Sequence, residues 1–120
     1  MLGSSETERQ INRARALLDA GHFAHAIELA DMLMIIAPEK VEVKELFVDI
    51  ALQQGDGVHA LKLLSEMIAT SPSNHEYHGK AGVANALAGD LGAARYHLSQ
   101  AVRLKPDYLH ALLDLCKVAR

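Results

Sequence analysis

Apolar and polar positions alternate along this chain with a helical rhythm. In Leu109–Arg120 the polar residues His110, Asp114 and Lys117 recur at i, i+4 and i+7, and every other residue before Arg120 is apolar. That spacing predicts a helix with one narrow polar stripe. Tyr77–Ala88 and Ala93–Leu104 are runs of helix formers separated by Gly89-Asp90-Leu91-Gly92. Glycine at that break predicts a left-handed C-cap, and Asp90 can accept from the orphan N–H groups of the next helix. Gly55-Asp56-Gly57 repeats the device, and Gly21-His22-Phe23 is a looser form of it. Pro38, Pro72 and Pro106 predict helix stops, since proline lacks an N–H and restricts the residue before it. Beyond those stops, Asn74 and Asp107 are placed to cap the following helices.

These markers share one ruler. The three prolines, the glycines Gly21, Gly55 and Gly89, and the alanines Ala26, Ala60 and Ala94 are each spaced 34 residues apart. A fixed period of that size indicates a repeat array of helix pairs. The third unit, His75–Tyr108, has Gly82 midway along its first helix, the Gly89-Asp90 turn, Ala94, Leu98 and Ala101 along its second helix, and Leu104-Lys105-Pro106 at its close. With that set the chain resembles the tetratricopeptide repeat (TPR) family over residues 7–120. The second unit, Val41–Asn74, keeps Gly55-Asp56, Ala60 and Leu64, but has Val48 and Met67 where small residues are usual. The first, Thr7–Lys40, keeps Ala14, Gly21, Ala26 and Pro38, and exchanges large and small sizes at Ala30 and Leu33. The resemblance implies an all-α fold, an α-α superhelix of about seven antiparallel helices. Repeats would occupy 7–40, 41–74 and 75–108, a partial repeat or capping helix 109–120, and a short tail 1–6. Small residues let neighbouring helices approach closely, and stacking buries apolar surface that no single pair can cover.

Composition narrows the function. Half of the 120 residues are hydrophobic and 22% charged, so a packed core is expected; only 4% are aromatic, which disfavours sandwiches and barrels. Net charge is −3, and no concentrated basic face suggests nucleic acid as a ligand. The longest apolar stretch, Met32–Ala37, is too short to cross a bilayer. One cysteine cannot form an internal disulfide, and Met1–Glu8 has no basic segment followed by an apolar core, so a cytoplasmic location is the default expectation.

The side chains offer little chemistry. His22 with His25, and His75 with His78, stand at i, i+3, but a zinc site needs three or four ligands; these histidines are expected to be solvated near helix starts. Cys116 falls at the small-residue site of the last helix, where a thiol packs as a small hydrophobe. The glycine turns lack the Lys and Ser/Thr of a phosphate-binding loop. No catalytic residue, metal site or cofactor is expected, and the chain does not read as an enzyme.

A partner surface suits a repeat array better. In the TPR family first-helix side chains line a concave groove, which by resemblance assigns Glu8, Ile11, Arg15 and Leu18 from the first unit and Glu42, Glu45, Asp49 and Leu52 from the second. The third contributes Glu76, Val83 and Leu87, and the last helix His110, Leu113 and Lys117. Glu42, Glu45 and Asp49 share one helix face, so a basic-apolar protein or peptide segment is the expected ligand, although an ordinary solvated face has the same pattern. Family members that hold a C-terminal carboxylate use Lys, Asn and Arg in the groove. Here those sites are Ile11, Arg15, Glu45, Asp49, Gly79 and Val83, and only Arg15 suits a carboxylate. The reading is a non-enzymatic interaction scaffold. Its alternatives are an accessory segment of a longer protein, a transferase-like enzyme among them, or a self-assembling module. The apolar Leu109–Arg120 helix is expected either to be followed by more chain or to dock on a second copy.

Overall fold

The computed structural model describes residues 4–118, all of whose regular elements are helices. They are α1 (Ser4–Asp19), α2 (Phe23–Ile36), α3 (Val41–Gln53), α4 (Gly57–Thr70), α5 (His75–Leu87), α6 (Leu91–Leu104) and α7 (Leu109–Val118). The side chain of Cys116 lies outside the described residues. Contacts divide the chain into two compact units, Met1–Ile50 and Ala51–Arg120.

In the first unit, Ile11, Ala14 and Leu18 of α1 meet Ala26, Ala30 and Leu33 of α2 and Val43, Leu46 and Ile50 of α3 in one core. The exchanged sizes at Ala30 and Leu33 leave both residues fully buried. Truncating Leu33 would cost about 2–5 kcal/mol. Residues 4–6, expected in a tail, are helical. Glu6 binds Arg9 and accepts from Gln10 at 2.9 Å, so i+3 and i+4 partners brace the first turn.

In the second unit α4 packs on α5, α5 on α6, and α7 on both α6 and α5. Ala60, Leu64 and Met67 on α4, and Ala94, Leu98 and Ala101 on α6, form buried stripes at i, i+4 and i+7. Gly82 is what lets α5 and α6 approach: a Cβ there would lie 2.5 Å from Cγ of Leu98, itself 1% exposed.

The backbone bonds of the interhelix turns repeat. Gly89 has φ +87°; its N–H donates to Ala86 O, and that of Asp90 to Asn85 O at 2.9 Å, the paired bonds of a Schellman cap. Gly55 and Gly21 take the same left-handed conformation with equivalent bonds. Asp90 accepts from Ala93 N at 3.0 Å and Asp56 from His59 N at 3.2 Å, while His22 makes no side-chain cap. The His59 N–H holds the Asp56 carboxyl below its ordinary pKa, with the His59 ring assisting. Capping also moves two boundaries from their expected places. α5 begins at His75 because Asn74 accepts from Glu76 N and Tyr77 N, and α6 begins at Leu91 because Asp90 caps it. Asp107 does not stand at a helix start, since Tyr108 occupies the position before α7.

Candidate functional site

The first-helix positions of the first unit divide between core and surface. Ile11 and Leu18, expected in a groove, are 6% and 2% exposed. They flank Ala14 on the side of α1 that packs against α2 and α3, so a partner cannot touch them. Glu8 and Glu42 are exposed and Glu45 is half-buried. Arg15 donates from Nη1 to Asp49 Oδ2 at 2.8 Å, joining α1 to α3 across one 34-residue period. Asp49 is 17% exposed at its side chain, so this ion pair is partly sheltered from solvent. Asp49, the last member of the row Glu42, Glu45 and Asp49, is therefore not an open carboxylate, because a guanidinium neutralises it. The same bond occupies the one cation that suited a carboxylate ligand.

In the second unit Leu52 and Val83 are half-buried, and Glu76, Leu87, His110, Leu113 and Lys117 are exposed. Two shallow clefts lie along α5 and α7. One, of about 170 Å³, is lined by Gly79, Lys80, Val83, Tyr108, His110, Ala111 and Asp114. The other, of about 240 Å³, is lined by Gly82, Val83, Ala86, Leu87, Leu98, Asp114 and Lys117. Val83 and Asp114 border both. The structure thus brings Val83 and Leu87 together with Lys117, and Val83 with His110; Leu113 lines neither cleft.

Sequence reading missed Lys80, Tyr108 and Asp114 as lining residues. Asp114 was visible as a member of the α7 polar stripe, and its Oδ1 lies 3.8 Å from Lys117 Nζ. Tyr108 precedes its helix, where periodicity gives no signal. Its ring reaches back over Gly79, and burial, then the charges of Glu76 and Asp114, raise its phenol pKa above the ordinary value. A further cleft of about 480 Å³ on α1 and α2 is lined by Arg13, Leu17, His25, Glu28, Leu29 and Met32, none of them expected site residues.

The histidines need one correction. His22 and His25 are exposed, but His75 is half-buried with its ring 4.9 Å from that of Tyr108, and His78 is 7% exposed. His78 is sealed because both of its ring nitrogens have partners on the protein. Among the described residues no group of three or more His, Cys, Asp or Glu is placed to hold a metal ion. No described helix is long and apolar enough to cross a membrane.

No family model matches the chain, and no curated protein matches it. Solved structures do. An O-GlcNAc transferase mutant from Thermobaculum terrenum superposes with a TM-score of 0.86 at 22% identity over 98% of this chain, which spans 23% of the transferase. PcrH from Pseudomonas aeruginosa gives 0.85 at 16% identity, covering 100% of this chain and 96% of PcrH. The first TPR domain of human RPAP3 gives 0.84 at 15% identity, covering 98% of this chain and 92% of that domain. With seven helices among the described residues and a 34-residue period, this chain has the tetratricopeptide-repeat fold, about three and a half repeats long.

Proposed function

We propose that the chain is a non-enzymatic interaction module that binds a protein or peptide segment through its first-helix faces. The observation that carries this is the pair of clefts along α5 and α7, where Val83, Ala86 and Leu87 offer apolar contact beside the charged Asp114 and Lys117. Leu87 is 46% exposed, so an apolar ligand side chain would remove it from water. Asp114 and Lys117 beside those apolar side chains add charge contacts to the ligand that screen with salt.

The test is selection from a random peptide display library on the immobilised protein, followed by titration of the selected peptides. Sequences with apolar side chains flanked by charged ones are expected. Leu87→Glu should weaken binding about tenfold or more, given roughly 1.5–3 kcal/mol for burying a leucine side chain. Lys117→Gln should weaken it only a few-fold, since exposed charge contacts give about 0.2–1 kcal/mol each. Peptides that bind Leu87→Glu as well as the unaltered protein would overturn the assignment.

A second reading is favoured by the transferase match, in which a segment like this one is under a quarter of a longer enzyme. In that case the chain is an accessory repeat segment and its partner is the rest of its own protein. The sequence of the complete gene separates the two readings.

A further inference from the structure

A hydrogen bond between two imidazoles joins α5 to α6. His78 Nε2 lies 2.8 Å from the Pro72 carbonyl oxygen, which can only accept, so this nitrogen carries the hydrogen. Neutral His78 then presents a bare Nδ1 to Nδ1 of His97, 3.1 Å away on α6. His97 must donate. The two rings stack with centroids 5.4 Å apart and 29° between their planes, and Tyr96 packs edge-on against His97.

We propose that His78 and His97 form a pH-sensitive clasp between α5 and α6, which tolerates one added proton and is opened by a second. One proton leaves an N–H···N bond in place, because either ring can be the donor. Two protons set N–H against N–H at 3.1 Å, at a ring that is 7% exposed. Neither imidazole has an ion-pair partner among the described residues. On α4, His59, Lys62 and Glu66 bond to neither ring, nor do His110, Asp114 and Lys117 on α7. On the paired helices themselves, Glu76 and Lys80 of α5 and Arg95 and Arg103 of α6 also make no bond to them, and His75 faces Tyr108 instead.

The direction of the pH effect follows. Burial, then the charge on His78, lowers the pKa of His97. A histidine with a lowered folded-state pKa contributes stability that is fully present above the ordinary imidazole value of about 6.5 and is lost as pH falls through its folded value. The unfolded chain takes both protons freely.

Urea unfolding of the whole protein between about pH 7.5 and about pH 5 tests this, alongside His97→Phe, which keeps the stacked ring and removes its titration. The unfolding constant of the unaltered protein should rise by up to about tenfold per pH unit more than that of the variant on the acid side of 6.5. Parallel pH profiles would overturn the proposal. Nitrogen-15 spectra of the imidazoles decide the matter even where the variant fails to fold. A bare His78 Nδ1 at neutral pH and two well-separated protonation steps are expected, whereas two independently titrating rings would refute the clasp.

Discussion

At the scale of single residues, absent side chains set how closely helices meet. A Cβ on Gly82 would strike Cγ of Leu98 at 2.5 Å and Cδ2 at 2.7 Å, and Leu98 is itself only 1% exposed, packed on Ala101 and Ala111. Gly82→Ala should therefore destabilise the second unit by about 1–3 kcal/mol, the usual cost of overpacking. Gly92, also helical, has nothing nearer to an added Cβ than 3.7 Å. There alanine should be neutral or stabilising by up to about 1 kcal/mol, because it restricts the unfolded chain. Urea midpoints of the two variants check the pair, and equal shifts would show that α5 and α6 are not in this close contact. The small-residue pattern was legible in the sequence because close approach leaves few alternatives to Gly or Ala. The burial of His78 was not, because the ring that satisfies it lies 19 residues away on another helix.

At the scale of elements, three turns share one backbone path but not one cap. The residues before α2, α4 and α6 are His22 (φ −86°, ψ 68°), Asp56 (φ −93°, ψ 75°) and Asp90 (φ −98°, ψ 84°). The two aspartates accept a backbone N–H three residues on, and His22 accepts none. His22→Asp should supply the missing bond and a favourable charge at the helix N-terminus, stabilising the first unit by about 0.5–2 kcal/mol. A thermal melt reads the gain, and an unchanged or lowered midpoint would show that this turn cannot use a cap. Helix number and turn positions were legible from the 34-residue ruler. Which face of α1 packs inward was not. Ile11, Ala14, Arg15 and Leu18 all fall within three turns, and a helix contacted by two neighbours buries a wider arc than an apolar stripe reveals. The Arg15–Asp49 bond shows the same limit, since a period places two residues at equivalent positions without saying that they touch.

At the scale of the whole molecule, the period predicts where apolar surface is left without cover. Leu109 and Leu113 on α7 stand one period after His75 and Gly79 on α5. On α5 those positions are shielded by Tyr108, whose ring packs 4.9 Å from that of His75 and lies over Gly79. On α7 the two leucines are 68% and 61% exposed. Leu115, by contrast, packs on the core formed by Leu98, Ala101 and Ala111. Two adjacent exposed leucines one helical turn apart make an association site, and burying each is worth roughly 1.5–3 kcal/mol. The 120-residue protein is expected to self-associate through this face, with light scattering showing a mass that falls on dilution. Leu109→Glu with Leu113→Glu should give a folded monomer. Leu115→Glu should instead loosen α7 from α6, because a half-buried carboxylate would replace the apolar contact with Leu98, Ala101 and Ala111. A protein that stays monomeric at every concentration and binds no hydrophobic dye would refute the association. If the Leu109→Glu, Leu113→Glu protein associates as before, then contact between copies runs through another surface.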